Sequence, residues 1–251
     1  MPFRLRALIV LAGLLSSGVA FAGEVRTPKG VIELFTSQGC ASCPPADNAL
    51  SQLVAQGDMV VLSYHVDYWN YLGWTDTLSS KENTERQYGY AKTMGRSGVY
   101  TPQAIINGRE HVKGTDLAVI NGKVDGMEKS GQGLTVPIGA AMRGDEIEIE
   151  IGEGQGQGQA EVVVAYFTKR QMVDVTKGEN SGKNMEYWHS VYDVQSVGMW
   201  NGKKMTLTLP GKVLGKGKKD GCAILLQSSG PGGEPAAIIG ATVLMAGRKK
   251  N

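Results

Sequence analysis

A surplus of charge is missing from this chain. Lysine and arginine number 26 and aspartate and glutamate 24, a formal net charge of +2. Two of the cations, Arg4 and Arg6, fall in the first 22 residues, and the remainder carries 24 charges of each sign. Such a balance gives no electrostatic reason to expect nucleic acid or an anionic membrane as a partner. Long apolar runs are missing too: Ala7 to Val19 is too short to span a bilayer comfortably. There is no His-rich tract and no Met-x-x-Met pair to support metal carriage. The Gly-Glu-Gly-Gln-Gly-Gln-Gly stretch at 152–158 has no helical pattern behind it, so it is a hairpin tip and not a phosphate loop. No metal or cofactor is expected.

Glycine, at 35 residues, is plentiful and points to many tight turns. Residues 1–22 combine Arg4 and Arg6, a short apolar core and Ala20-Phe21-Ala22, the pattern of a cleaved leader. The expected location is therefore periplasmic or secreted, with no membrane attachment after cleavage. Disulfides persist in such compartments.

Of the three cysteines, two stand in Phe35-Thr-Ser-Gln-Gly-Cys40-Ala-Ser-Cys43-Pro44-Pro45-Ala-Asp47, between an apolar run and an amphipathic helical pattern. A pair with this spacing at a strand-to-helix junction can form a reducible disulfide. Free N–H groups and the positive end of the helix favour a thiolate on the first cysteine. Cys40 is then the exposed nucleophile and Cys43 the resolving thiol. Half of a zinc site has the same spacing. Cys222, in a strand-like run, reads as buried and inert.

Val31 to Phe35 and Met59 to Val66 read as buried strands, with the helix between them ended by Gly57. Ser79-x-x-Glu82 resembles a capping box for a second helix. Val99 to Val112 contains Asn107-Gly108, a hairpin signal, and Thr115 or Asp116 caps a third helix. From Leu134 about seven short strand patterns follow, among them the strict alternation Glu146-Ile-Glu-Ile-Glu-Ile151.

This order, with the cysteine pair at the first junction, Thr101-Pro102 before a strand and the hairpin after it, resembles a thioredoxin fold over residues 29–131. The resemblance implies a cis Thr101–Pro102 bond, with Pro102 facing the pair and helping to bind an extended substrate. More particularly, Glu33 to Asp47, His65-Val-Asp-Tyr-Trp-Asn-Tyr-Leu-Gly-Trp74 and Gly178-Glu-Asn-Ser-Gly182 resemble secreted bacterial proteins grouped only as a domain of unknown function within that superfamily. The expected organisation is a leader over 1–22, an α/β thioredoxin-like domain over 23–132 and an all-β antiparallel sandwich over 133–251.

Three residues are candidates to move a proton for the pair: Glu33, an acid in an apolar strand, and His65 and Asp67, on one side of the second strand. Tyr68 and Trp69, with Tyr71 and Trp74, either line a substrate groove or pack as a lid or a seam between the two halves. Gly178 to Gly182 is either a turn whose side chains hold their own backbone or a segment facing the cysteines. The leading functional expectation is an exported thiol–disulfide oxidoreductase acting on a protein or small-molecule thiol or disulfide, with an unidentified redox partner. Two alternatives stand beside it: a binding or assembly module with the disulfide as a staple, and a Cu(I) carrier using Cys40 and Cys43 with His65 or a methionine completing the site.

Overall fold

In the computed structural model the described residues are 27–154, 158–214 and 220–247. The expected leader and the centre of the Gly-Gln stretch lie outside them.

Strand β1 (Val31–Thr36) runs into the cysteine loop and helix α1 (Pro44–Gln56), then β2 (Val60–His65), α2 (Lys81–Thr93), β3 (Gln103–Ile106), β4 (Glu110–Lys113) and α3 (Leu117–Lys129). Local chemistry accounts for these limits. Proline at the first helical positions starts α1, where the missing N–H costs nothing, and Gly57, at φ 72°, stops it. Ser80, one residue beyond the expected Ser79, caps α2 by accepting from the Asn83 N–H. Asp116 caps α3 through the Val119 N–H. Asn107 and Gly108, both at positive φ, turn β3 into β4.

The second half adds β5 (Ile138–Arg143), β6 (Glu146–Ile151), β7 (Ala160–Val175), β8 (Lys183–Trp200), β9 (Met205–Pro210), β10 (Gly221–Ser229) and β11 (Pro235–Met245). Here the expected fold class is overturned. There is no thioredoxin-like α/β domain followed by a separate all-β sandwich. One mixed eight-stranded sheet, ordered β11-β10-β7-β8-β2-β1-β3-β4, runs through both halves, and β5, β6 and β9 form a second sheet. The two halves join where β8 lies parallel to β2, with Ser63 opposite Ser190. Side chains reinforce this junction: the Ser63 hydroxyl donates to the Trp188 carbonyl at 3.0 Å, and His189 Nδ1 to the Val61 carbonyl at 2.8 Å. Without β8, the outer edge of an otherwise buried strand would be unpaired.

Helices α1 and α3 cover one face of this sheet with Ile32, Leu34, Leu50, Leu53, Val61 and Val124 among the core residues. On the other face α2 contributes Tyr90 to a core holding Phe35, Tyr64, Val163, Phe167 and Leu225. The small sheet presses Ile147, Ile149 and Ile151 onto Val162, Val164 and Ile224, side chains that alternate with those facing α2. Both halves also meet at a buried ion pair. Glu33 of β1 accepts from Arg86 Nε of α2 at 2.8 Å, and Arg86 Nη2 donates at 2.9 Å to Gln227 of β10.

A shared sheet and a shared ion pair predict one cooperative unfolding step. In urea, backbone circular dichroism and the fluorescence of Trp69, Trp74, Trp188 and Trp200 are expected to give coincident transitions, whereas separable domains give two. Arg86→Ala strands the Glu33 carboxylate and is expected to lower the stability by about 3–5 kcal/mol.

Candidate functional site

Beyond Thr36 the chain makes two tight turns, with the Cys40 N–H donating to the Ser37 carbonyl and the Cys43 N–H to the Cys40 carbonyl. Cys43 is the N-cap of α1. The two sulfurs form a disulfide, with the Cα atoms 5.4 Å apart. Ala41 and Ser42 are exposed at the tip, and the Ser42 hydroxyl lies 3.5 Å from Cys40 Sγ. Cys40 itself is 2% exposed and Cys43 is fully buried, so the expected exposed nucleophile is covered. Two segments enclose it. Trp69 lies against Gly39, where an added Cβ would be 3.2 Å from the Trp69 Cβ. From the second half, Asn180 Nδ2 donates to the carbonyls of Gln38 and Cys40 at 2.9 and 3.0 Å.

Gln38 fastens the aromatic loop of residues 68–77 over the cysteines. Its side-chain oxygen accepts from Trp74 Nε1 at 2.8 Å, and its backbone N–H donates to Asp76 Oδ2 at 2.7 Å. Trp69 Nε1 donates to Thr101 Oγ1 at 2.8 Å, and the Thr101–Pro102 bond is cis. A Cβ placed on Gly114 would lie 3.3 Å from Ala46 Cβ and 3.4 Å from Pro102 Cβ, which puts Pro102 beside the first turn of α1. Trp69, Thr101 and Pro102 are thus brought together. Tyr68 packs beside Trp69, with ring centroids 5.9 Å apart, and its hydroxyl donates to Gln87 of α2 at 3.2 Å.

An acid cluster lies under α1. Thr36 and His65 are partners in the parallel pairing of β1 and β2 and both face the helix. The Thr36 hydroxyl donates to Asp47 Oδ1 at 2.8 Å, and His65 Nδ1 is 2.8 Å from Asp76 Oδ2. Asp47 Oδ2 and His65 Nε2 are buried without a hydrogen-bond partner. Burial pushes the Asp47 carboxyl up to about 7, against the opposing charge of His65 and the Thr36 hydrogen bond. Burial alone would lower His65, but the charge and hydrogen bond of Asp76, aided by Asp47, hold it above its ordinary value. Burial likewise opposes ionisation of Asp76, yet His65 and the N–H groups of Gln38 and Leu78 keep its carboxyl below the ordinary value. An opening of about 420 Å³, lined by Asp47, Asn48 and Ser51 of α1 and by Lys183, Asn184 and Glu186 of β8, reaches this cluster from outside.

The proton-carrying candidates therefore separate. Glu33 belongs to the opposite face of the sheet, where Arg86 and Tyr90 hold its carboxylate. Asp67 follows the end of β2, where the alternation stops, and accepts from Thr84 of α2 at 2.6 Å. His65 stays. The acid beside it, Asp47, escaped the reading of the sequence although a signal was present. At position 47 it interrupts the apolar stripe that continues through Leu50 and Val54. Asp76 gave no such signal, since a polar residue in a loop interrupts no apolar periodicity. For a Cu(I) site, the sulfurs are joined to each other and His65 Nδ1 is committed to Asp76.

The model of a family described as "Protein of unknown function (DUF1223)" matches residues 31–227. A crystal structure of a protein from Agrobacterium tumefaciens is similar over 90% of this chain and 97% of its own, at 60% sequence identity and a TM-score of 0.82. HBP35 of Porphyromonas gingivalis is similar over 89% of this chain and 76% of its own, at 15% identity and a TM-score of 0.62, a likeness of fold alone. No curated protein matches.

The raised Asp47 value predicts a pH dependence with a definite sign. The folded chain keeps a proton up to about pH 7 that an ordinary carboxyl, at 3.8, gives up. Its stabilising share is whole below the ordinary value and lost as pH rises towards 7. Urea midpoints of the oxidised protein are expected to fall between pH 4 and 8. Asp47→Asn should flatten that fall by on the order of 2–4 kcal/mol; parallel curves for the two proteins would mean that Asp47 holds no such proton.

Proposed function

Since this chain belongs to that family of proteins of unknown function, its activity has to be read from the site, and we propose that it is an exported thiol–disulfide oxidoreductase. The observation that carries this reading is a disulfide at the start of α1 with a buried carboxyl, Asp47, one turn along the same helix whose Oδ2 has no partner. A disulfide that merely staples the chain has no use for Asp47 and His65, whose unpartnered atoms each cost about 1–3 kcal/mol. Sites that move protons do need groups of this kind.

In the reducing direction the Cys40 thiolate attacks one sulfur of a substrate disulfide. The substrate S–S bond breaks, a mixed disulfide forms, and the leaving thiolate takes up the proton given up by Cys40. Cys43 then loses its proton to the Asp47 carboxylate, one helical turn along α1, and attacks Cys40 Sγ. The Cys40–Cys43 bond forms and the second substrate sulfur leaves, collecting that proton. The substrate gains two electrons and two protons, and the cysteine pair is oxidised. Run backwards, the same steps oxidise a dithiol. His65, held by Asp76, stabilises the Asp47 carboxylate at the moment it forms.

Approach to Cys40 Sγ runs past the exposed Ser42, with the half-buried Trp69 and Thr101 as the adjoining surface for an extended thiol or disulfide substrate, while Pro102 is buried. Export rests on the leader pattern of residues 1–22. One observation favours a second reading, that of a staple in a binding module: Cys40 is 2% exposed and Cys43 fully buried.

Trapping decides between them. With glutathione disulfide as probe, Cys43→Ser should accumulate a mixed disulfide at Cys40 that survives gel filtration and is released by reductant. Cys40→Ser should accumulate far less. A staple is expected to resist mild dithiothreitol in the native protein and to leave Cys40 of the Cys43→Ser protein unreactive.

A further inference from the structure

Between β7 and β8 the ribbon extends past the rest of the sheet, pairing Arg170 with Trp188 through to Val175 with Lys183. Val175, Met185 and Tyr187 pack this arm against Trp74 and Leu78 of the aromatic loop. The arm delivers its tip, residues 176–182, to the cysteine loop. That turn is already held by its own backbone: the Ser181 N–H donates to the Gly178 carbonyl and the Gly182 N–H to the Val175 carbonyl. Gly178 and Gly182 supply the positive φ values it requires. Asn180, fully buried, adds nothing to the turn through its amide nitrogen. Both N–H bonds of that nitrogen go to the carbonyls of Gln38 and Cys40, while Lys183 Nζ donates to its oxygen at 2.7 Å.

We infer that Asn180 is a positioning residue for the cysteine pair, through which the second half of the chain sets the pair's reduction potential. The inference rests on the oxidoreductase reading and deepens it. The carbonyl of Cys40 accepts from both Asn180 Nδ2 and the Cys43 N–H, so the turn carrying the two cysteines is clamped without help from the S–S bond. A clamp of this kind keeps the two thiols close after reduction. Closing the disulfide then forfeits less chain freedom, and the thiol of one cysteine meets the other at a high effective concentration. The clamp favours the disulfide and speeds resolution of a mixed disulfide by Cys43.

The test is a redox equilibrium of the full chain in buffers of reduced and oxidised dithiothreitol, with the dithiol fraction read by alkylation and mass. Two electrons and two protons pass between the buffer dithiol and the protein disulfide, so the balance is closed. Asn180→Ala is expected to shift the equilibrium about tenfold towards the dithiol, about 30 mV. Glu179→Gln, exposed in the same turn, should leave it unchanged. Lys183→Met, which removes only the anchor of the Asn180 oxygen from an exposed position, should shift it the same way by less. That variant serves if Asn180→Ala fails to fold. Wild-type equilibrium constants in both Asn180→Ala and Lys183→Met overturn the inference while leaving the oxidoreductase reading intact. A wild-type pair that opens in none of the buffers overturns that reading itself.

Discussion

Strand β2 has protein on both faces and at both edges, and the polar side chains it turns towards β8 and α1, Ser63 and His65, must look for partners inside the molecule. The fold follows from how that demand is met. At its middle, Ser63 turns to Trp188 and Ser190 and so fixes where β8 joins the sheet. At its end, His65 reaches Asp76 and draws the aromatic loop down over the cysteines. Asp76 in turn receives the backbone N–H of Gln38, two residues before Cys40. A hydrogen-bonded line thus runs from the end of β2 to the loop that carries the disulfide, and beside it Asp47 Oδ2 and His65 Nε2 stay unpartnered. Local imperfection of this sort is what a site retains when its use outweighs its cost.

The second half of the chain is part of this site and not an appendage to it. Its longest strand, β8, forms the partner that β2 requires, and the extension of β8 and β7 carries Asn180 to the carbonyls around Cys40. On the opposite face, Gln227 completes the ring of Glu33, Arg86 and Tyr90. The cysteine loop is therefore braced by residues about 140 positions away in sequence, while its own tip, Ala41-Ser42, is open to solvent.

Much of the first half was legible in the sequence because its signals are local. Pro44 marks a helix start, Gly57 a stop and Asn107-Gly108 a turn whatever the rest of the molecule does. The continuation of the sheet was not legible. Alternation and apolar runs tell which faces are buried, but not which strand lies along an edge, so β8 meeting β2 left no trace in any single segment. Glu33 shows the same limit. An acid in an apolar strand announces a partner, yet Arg86 stands 53 residues away and on the far side of the sheet from α1. Asp67 misled for a different reason: the period of two holds only while the strand lasts, and β2 ends at His65. Asp47 was legible in principle, as a carboxylate within an apolar helical stripe.

The claim that matters most is that a buried carboxyl trades protons with the cysteine pair near neutral pH. Carbon-13 titration of the Asp47 carboxyl, followed by NMR in the oxidised and the reduced protein, addresses it directly. The account predicts a midpoint of about 7 in the disulfide form and a displaced midpoint once Cys43 is a thiol. An ordinary carboxylate titration, the same in both redox forms, would contradict it.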